Sequence, residues 1–395
     1  MEAVEMREKF LFSKLRKEDF DLKPSGTPDY ALLAVTMLLV LCGTVMVSSA
    51  GIAYATFRYG EPTYFISRQI VWVLLGTASM LLASRLKPML LYKLSGPLYL
   101  ITLVLLILVL IVGFVGNGAQ RWIKIGPLTL QPSEIAKLTV VLLLARYFSY
   151  TDSQTDMKKK KKGSFIFLHD TLYPILIMAI PIALVLLQRH LSCIIILGMI
   201  GLSVIIAAGR DLRYIIGFGT TGGVGAFLFA ILTDYTKERI TVWRNPELYR
   251  LTGGWQTLQG LMAIGSGGLF GLGLGKSVLK YCYVSEPAND MIFTILCEEL
   301  GFIGAVSVLC VFAYLLYRGF RLSVLASGRF ERLLAFGITA KIAIQLILNV
   351  AVVTNTIPNT GISLPFFSYG GSSLIMIMFE MGILLSISRT AKISK

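Results

Sequence analysis

Two carboxylates four residues apart, Glu286 and Asp290, stand just before an apolar run that begins at residue 291. A carboxylate there can cap a helix by accepting from free backbone N–H groups. It can also act as a general base and accept a proton from an attacking hydroxyl. If the helix already starts at Glu286, this spacing puts both carboxylates on one face. Glu298 and Glu299 follow two turns later and are expected at or outside a membrane interface. Local sequence leaves cap and base open.

Basic residues in the same class of segment are Arg121, Lys124, Lys237, Arg239, Arg244, Arg250, Lys276 and Lys280. Such side chains can hold a phosphate-bearing lipid headgroup, or simply face solvent or lipid. Gly271–Ser277 (GLGLGKS) resembles half of a phosphate-binding glycine loop but lacks the GxxxxGK[ST] spacing, which argues against nucleotide binding. A third segment, NTIPNTGISLPFFSYGGSS at 355–373, has no charge and is dense in Pro, Gly, Ser and aromatics. Its prolines restrict the backbone and Gly370–Gly371 permit close approach. Lys137, Lys341, Gln345, Asn349 and Glu380 lie inside apolar runs, where helix–helix pairing and a substrate path are both possible. Glu134 and Lys137, three apart, can share a face. His169 and His190 make no metal set.

The elements that must position these residues are membrane helices. Of 395 residues, 55% are hydrophobic and 15% charged, against about 25% charged in soluble domains. Ten apolar runs, roughly 30–50, 65–83, 92–115, 133–150, 171–187, 191–208, 212–231, 291–317, 333–354 and 371–388, each approach the ~20 residues that cross a bilayer. The fold expected is all-α and polytopic, with ten spans. The first run reads as a span rather than a cleavable signal, since no small-residue cleavage site follows it. Five cysteines without a CxxC pair argue against a disulfide framework or zinc site; Cys42, Cys193 and Cys310, inside apolar runs, are expected to be buried.

Net charge is +15, but the basic residues cluster in short segments: 1–29, Arg85 and Lys87, Lys158–Lys162, Arg210 and Arg213, Arg318–Arg332, and the C-terminal tail. That is the positive-inside pattern rather than a nucleic-acid face. It puts both termini in the cytoplasm, with cytoplasmic tails at 1–29 and 389–395. Residues 116–132, 355–370 and the long loop 232–290 between spans seven and eight then lie outside. Within that loop, Leu261–Leu279 is apolar and glycine-rich, suiting a partly inserted or interfacial hairpin packed against protein, with a surface loop as the alternative.

Four motifs in order resemble the SEDS family (shape, elongation, division and sporulation), whose members polymerise peptidoglycan glycan strands. They are NGAQRWIKIGPLTLQPSEIAKL at Asn117–Leu138, AIGSGGLFGLGLGKS at Ala263–Ser277, SEPAND before EELG within Ser285–Gly301, and LPFFSYGGSS at Leu364–Ser373. The resemblance runs from about residue 29 to 389. It implies one transmembrane domain over 30–388 in the bacterial cytoplasmic membrane, acting on lipid II, the undecaprenyl-pyrophosphate-linked disaccharide-pentapeptide. It also implies that Asp290, matching the family's essential aspartate, is the general base. Arg121, Lys137, Arg239, Lys280, Glu286, Ser368 and Ser372 become substrate-binding candidates. Magnesium or manganese can accompany the pyrophosphate, with Asp290 a possible ligand, and no organic cofactor is implied. The partner implied is a class B penicillin-binding protein, a single-span transpeptidase, alongside other divisome or spore-cortex membrane proteins.

The chain departs from the family pattern at four places, one being Asn355–Thr356–Ile357–Pro358 where the family has GLLP. Ala288 stands for a histidine and Ser285 for a proline, while His190, in Gln188–Cys193, takes a commonly acidic position. The rival functions are a lipid II flippase, which needs a site reachable from both faces, and a non-catalytic scaffold, against which Asp290 argues.

Overall fold

The computed structural model describes residues 26–116, 119–126, 128–155, 172–188, 190–210, 234–281 and 283–391. Eleven α-helices appear among them: α1 Tyr30–Tyr59, α2 Tyr64–Ala83, α3 Pro88–Val112, α4 Pro132–Thr155, α5 Tyr173–Leu187, α6 Leu191–Ala207, α7 Asp234–Arg244, α8 Trp255–Ser266, α9 Ile292–Leu325, α10 Arg329–Val353 and α11 Gly371–Thr390. Six of these, α1, α2, α3, α9, α10 and α11, are long and apolar enough to cross a membrane, so the chain is a helical polytopic membrane protein. Helices α4, α5 and α6 overlie three more of the expected spans. The expected span 212–231, the tail through residue 25 and the run Lys158–Lys162 lie outside the described residues.

Helix α4 occupies the middle of the bundle. Residues 131–145 are almost entirely buried, and α4 packs against α3, α6 and α10. It can therefore carry Glu134 and Lys137 inside the membrane region without turning either to lipid, where a lone charge would cost several kcal/mol.

The two ends of the bundle differ. At one end, Asp29 Oδ1 accepts from the Leu32 amide at 3.0 Å, starting α1. The same carboxylate takes the Arg318 guanidinium at 2.5 and 3.1 Å, and the Asp29 amide donates to Ser388 Oγ at 3.0 Å. The start of α1, the end of α9 and the end of α11 thus meet. Asp290, at the start of α9, belongs to the opposite end.

That opposite end is not simply loop. The segment expected to be irregular at 116–132 forms a three-stranded antiparallel sheet, β1 Phe114–Gly116, β2 Ala119–Ile125 and β3 Leu128–Leu130. Trp122 faces Phe114 across one pairing and Ile123 faces Leu130 across the other. Gly126, at φ 61°, makes the turn. The strands are too short for their period-2 alternation to stand out from a loop, so the all-α expectation misses them.

Helix α9 is two helices joined at a break. Gly301 has φ 68° and ψ −171° inside it, and the glycine-rich turn after α8 fills the gap. Leu272 and Gly273 donate to the carbonyls of Glu298 and Glu299 at 2.9 and 3.0 Å, while Phe302 and Ile303 donate to Gly268 and Leu269 at 2.9 and 3.1 Å. A Cβ on Gly271 would meet the Glu299 carbonyl at 2.2 Å, and one on Gly301 would meet the Gly271 nitrogen at 2.3 Å. Only glycines allow this approach, and both need positive φ. The stretch that resembles half of a phosphate loop is thus the splice of a broken helix. Among the cysteines expected to be buried, Cys193 is buried and Cys42 half-buried, whereas Cys310 is exposed on the outer side of α9.

Candidate functional site

Asp290 sits in a turn, not on a helix. Helix α9 begins at Ile292, its N-cap is Met291, and no side chain caps it. Asp290 is therefore not the N-cap residue, and Glu286 and Asp290 do not share a helical face. Glu286 instead has φ 52°, and its Oε2 accepts from Asn289 Nδ2 at 2.5 Å.

What fixes the turn is a clamp on three consecutive carbonyls. The Tyr369 amide donates to Ala288 O at 2.8 Å, Ser368 Oγ donates to Asn289 O at 2.7 Å, and Asn349 Nδ2 donates to Asp290 O at 2.9 Å. Asn349 also donates to Ile362 O at 2.6 Å, and Ser368 Oγ accepts from the Leu364 amide at 2.7 Å. The 355–370 segment and α10 thereby hold the backbone of the turn, leaving the Asp290 side chain to other partners. Its Oδ1 has no hydrogen-bond partner among the described residues. Burial raises its carboxyl to about 6. Backbone N–H groups of Asp290 and Met291 and the Gln256 side chain pull it down, while the Glu286 charge pushes it up.

Asp290 lies where two cavities meet. The larger, of about 530 Å³, is lined by Arg121, Trp122 and Thr129 of the sheet, by Glu134 and Lys137 of α4, by His190 before α6 and Ser192 in its first turn, and by Arg239, Glu286, Asp290 and Thr360–Ser363. The smaller, of about 320 Å³, adds Trp243, Gln256, Thr257 and Asn359 and shares Arg239, Asp290 and Gly361. The larger falls in the usual range for ligand pockets. At its floor Lys137 Nζ meets Glu134 Oε1 at 2.7 Å, and Ser373 Oγ reaches Glu134 Oε2 at 3.4 Å. Arg239 bonds the Asn359 carbonyl, and Trp243 Nε1 bonds Asn355 O at 2.9 Å. These two contacts dock α7 onto the 355–370 segment.

Five of the eight expected site residues, Arg121, Lys137, Arg239, Glu286 and Asp290, thus line one cavity. Three do not. Lys280 is 2% exposed and away from both cavities; its Nζ meets Glu299 Oε1 at 3.0 Å and Ser49 Oγ at 3.1 Å. Glu298 and Glu299, expected near the interface, are 1% and 0% exposed. Glu298 Oε1 accepts from the Val278 and Leu279 amides at 2.9 and 3.3 Å. A buried charge needs this pairing, and it leaves Lys280 nothing to offer a substrate. Ser368 is part of the clamp. Ser372 is buried but lines neither cavity; its neighbour Ser373 does.

Two residues with no site role in the sequence belong here, Gln256 and His190, and Asn349, open there between helix pairing and a substrate path, joins them through the clamp. An asparagine in an apolar run reads as a helix–helix partner, and its pairing with a distant turn leaves no local signal. Lys341, another intramembrane candidate, is closed on Glu380 at 2.6 Å.

The comparisons with known proteins agree with this arrangement. Residues 29–393 match the FtsW/RodA/SpoVE family model, described as a cell cycle protein. Stage V sporulation protein E of Bacillus subtilis is 36% identical, over 93% of this chain and 98% of its own length. A probable peptidoglycan glycosyltransferase FtsW of Geobacter metallireducens is 36% identical, over 94% and 97%. Among solved structures, a chain from work on how a peptidoglycan synthase complex coordinates polymerization and crosslinking superposes with a TM-score of 0.76 at 28% identity, covering 93% of this chain and 99% of that one. Rod shape determining protein RodA of Thermus thermophilus gives 0.67 at 29%, covering 93% and 98%. The chain belongs to the FtsW/RodA/SpoVE family, the SEDS proteins.

Proposed function

We propose that this chain joins lipid II units with Asp290 as general base, at the cavity end of the bundle facing away from the cytoplasm. The activity itself, peptidoglycan glycosyl transfer, is that of the FtsW/RodA-type enzymes to which the chain belongs. The observation that carries the role of Asp290 is a carboxylate oxygen without a hydrogen-bond partner among the described residues, on a turn clamped at three carbonyls, in a residue that lines two cavities.

Two cavities suit a reaction of two lipid-linked sugars. The acceptor hydroxyl gives its proton to Asp290 as its oxygen bonds to the donor's anomeric carbon. The bond from that carbon to the pyrophosphate oxygen breaks, and undecaprenyl pyrophosphate leaves with the electron pair. Arg121 and Lys137 in the larger cavity, and Arg239 bordering both, meet the charge that develops on the leaving group. Glu286 lies beside Asp290 and raises its proton affinity. Lateral entry of both substrates from the bilayer pre-orients them.

Among the described residues no three His, Cys, Asp or Glu side chains converge on one point. With Asp290 carrying an unpartnered carboxylate oxygen, the residues fit magnesium or manganese carried in by the substrate's phosphates better than a resident ion, since magnesium commonly uses one or two carboxylates and substrate oxygens. It would neutralise charge on the pyrophosphate.

Ten spans with cytoplasmic termini remain the topology that best fits the basic segments, with Asp290 opposite the Asp29 end. A class B penicillin-binding protein is the partner that fits a likeness to a peptidoglycan synthase chain. Asp290, Glu286 and Arg239 line cavities at one end, whereas Lys341 Nζ deeper in the bundle meets Glu380 Oε1 at 2.6 Å. That pattern supports polymerisation over translocation. Proteoliposomes with lipid II in either leaflet test it. Glycan polymer formed without lipid II crossing supports the reading, and lipid II crossing without polymer overturns it.

A further inference from the structure

Asp290 is held from two sides. On one, α10 and the 355–370 segment bond three carbonyls of its turn. On the other lies α8, pressed along the first half of α9. A Cβ on Gly260 would meet Met291 Cε at 2.6 Å, and one on Gly267 would meet the Cys297 carbonyl oxygen at 2.0 Å. Residues four apart share a helix face. Gln256, one turn before Gly260, therefore faces the stretch just before Met291, which is Asp290. The two side chains line the smaller cavity together.

Gln256 is half-buried, and its hydrogen bond is one of those that draw the Asp290 carboxyl down against burial. Of its two polar atoms, Nε2 is the one that can donate to a carboxylate. Asp290 Oδ1 has no hydrogen-bond partner among the described residues, so the contact falls on Oδ2. That oxygen is turned to Gly361, where an added Cβ would lie 3.6 Å from it.

An amide suits this place. A lysine or arginine there would keep the carboxylate ionised but weaken it as a base, and an apolar residue would let burial keep it protonated. The charged and titratable groups that share a cavity with Asp290 are Arg121, Glu134, Lys137, His190, Cys193, Arg239, Glu286 and Tyr369. Of their charges, that of Glu286 weighs most on Asp290, and it acts upward. Gln256 acts the other way.

We propose that Gln256 is a positioning residue: its Nε2–H donates to Asp290 Oδ2, which fixes the carboxylate and leaves Oδ1 for the proton of the attacking hydroxyl. This rests on Asp290 being the general base.

The test uses full-length protein in detergent micelles and two readouts. One is the pH profile of kcat/KM for lipid II, which reports the free enzyme. The other is infrared pH-difference spectroscopy of the Asp290 carboxyl, identified as the band lost in Asp290→Asn. It follows ionisation whether or not the protein turns over. Gln256→Met keeps the length of the side chain and loses the donor, and Gln256→Asn keeps the amide one carbon short. Both are expected to move the acid limb and the carboxyl titration together to higher pH, by about one pH unit. The plateau kcat should fall about three- to tenfold, with a thermal midpoint near wild type. Gln256→Glu adds a second carboxylate and should move both readouts further. The inference is overturned if the carboxyl titration stays at the wild-type pH or moves lower in these variants, even where kcat falls. Should the titration move while the rate profile does not, Gln256 holds Asp290 as proposed and Asp290 is not the base.

Discussion

Two clusters of carboxylate and base flank the start of α9, and they are built to opposite ends. Around Glu298, Glu299, Lys280 and Ser49 every charge is closed on a partner, and the glutamates are under 2% exposed. Asp290, Glu286, Arg121 and His190 instead line a cavity, and Asp290 Oδ1 and His190 Nδ1 have no partner among the described residues. Both clusters fall within family-like motifs. Being part of a motif therefore does not separate structural from chemical residues; whether the side chain lines a cavity does.

Removing one partner of the closed cluster should show the largest effect. Lys280→Ala leaves Glu299 buried without its cation, which costs about 3–5 kcal/mol and should appear as a lowered thermal midpoint or loss of folded protein in detergent. The paired change Lys280→Met with Glu299→Gln should recover much of that. If Lys280→Ala instead kept its midpoint and lost only activity, Lys280 would belong with the open cluster.

The clamp comes next. Asn349→Ala frees the Asp290 and Ile362 carbonyls together. The expected result is a fall of about tenfold or more in kcat, with a midpoint loss near 1–3 kcal/mol. Unchanged turnover would show that the turn does not need this hold.

A smaller effect is expected in the pH profile. Asp290 must be ionised to accept a proton, and its pKa is raised to about 6. Below that pH the group is protonated and polymerisation falls; above it the rate reaches its plateau. Glu286→Gln removes a neighbouring negative charge that raises this pKa, so the acid limb should move to lower pH. Movement to higher pH would contradict the electrostatics of the site. Smallest of all, Ser372→Ala should change kcat/KM for lipid II by less than about twofold, because Ser372 lines neither cavity.

The sequence makes the membrane helices plain, because apolar length is a local property. It also makes Asp290, Glu286, Arg121 and Lys137 legible, through motif resemblance and side-chain chemistry. What it conceals is closure. Lys280 and Arg239 look alike as basic residues of one long loop, yet a glutamate 19 residues on closes the first and the second lines both cavities. Asn349 hides because its partners are carbonyls 59 and 13 residues away. The broken α9 hides because Gly301 looks like any intramembrane glycine until the turn at Gly271 is laid against it.

The most direct test of the central claim is the rate at which purified Asp290→Asn protein polymerises lipid II, with its thermal midpoint measured alongside. Asparagine keeps the size of the side chain and loses the base. The expected result is a fall of about 10²–10⁴-fold with a midpoint close to wild type. A near-normal rate from well-folded Asp290→Asn protein would contradict the account.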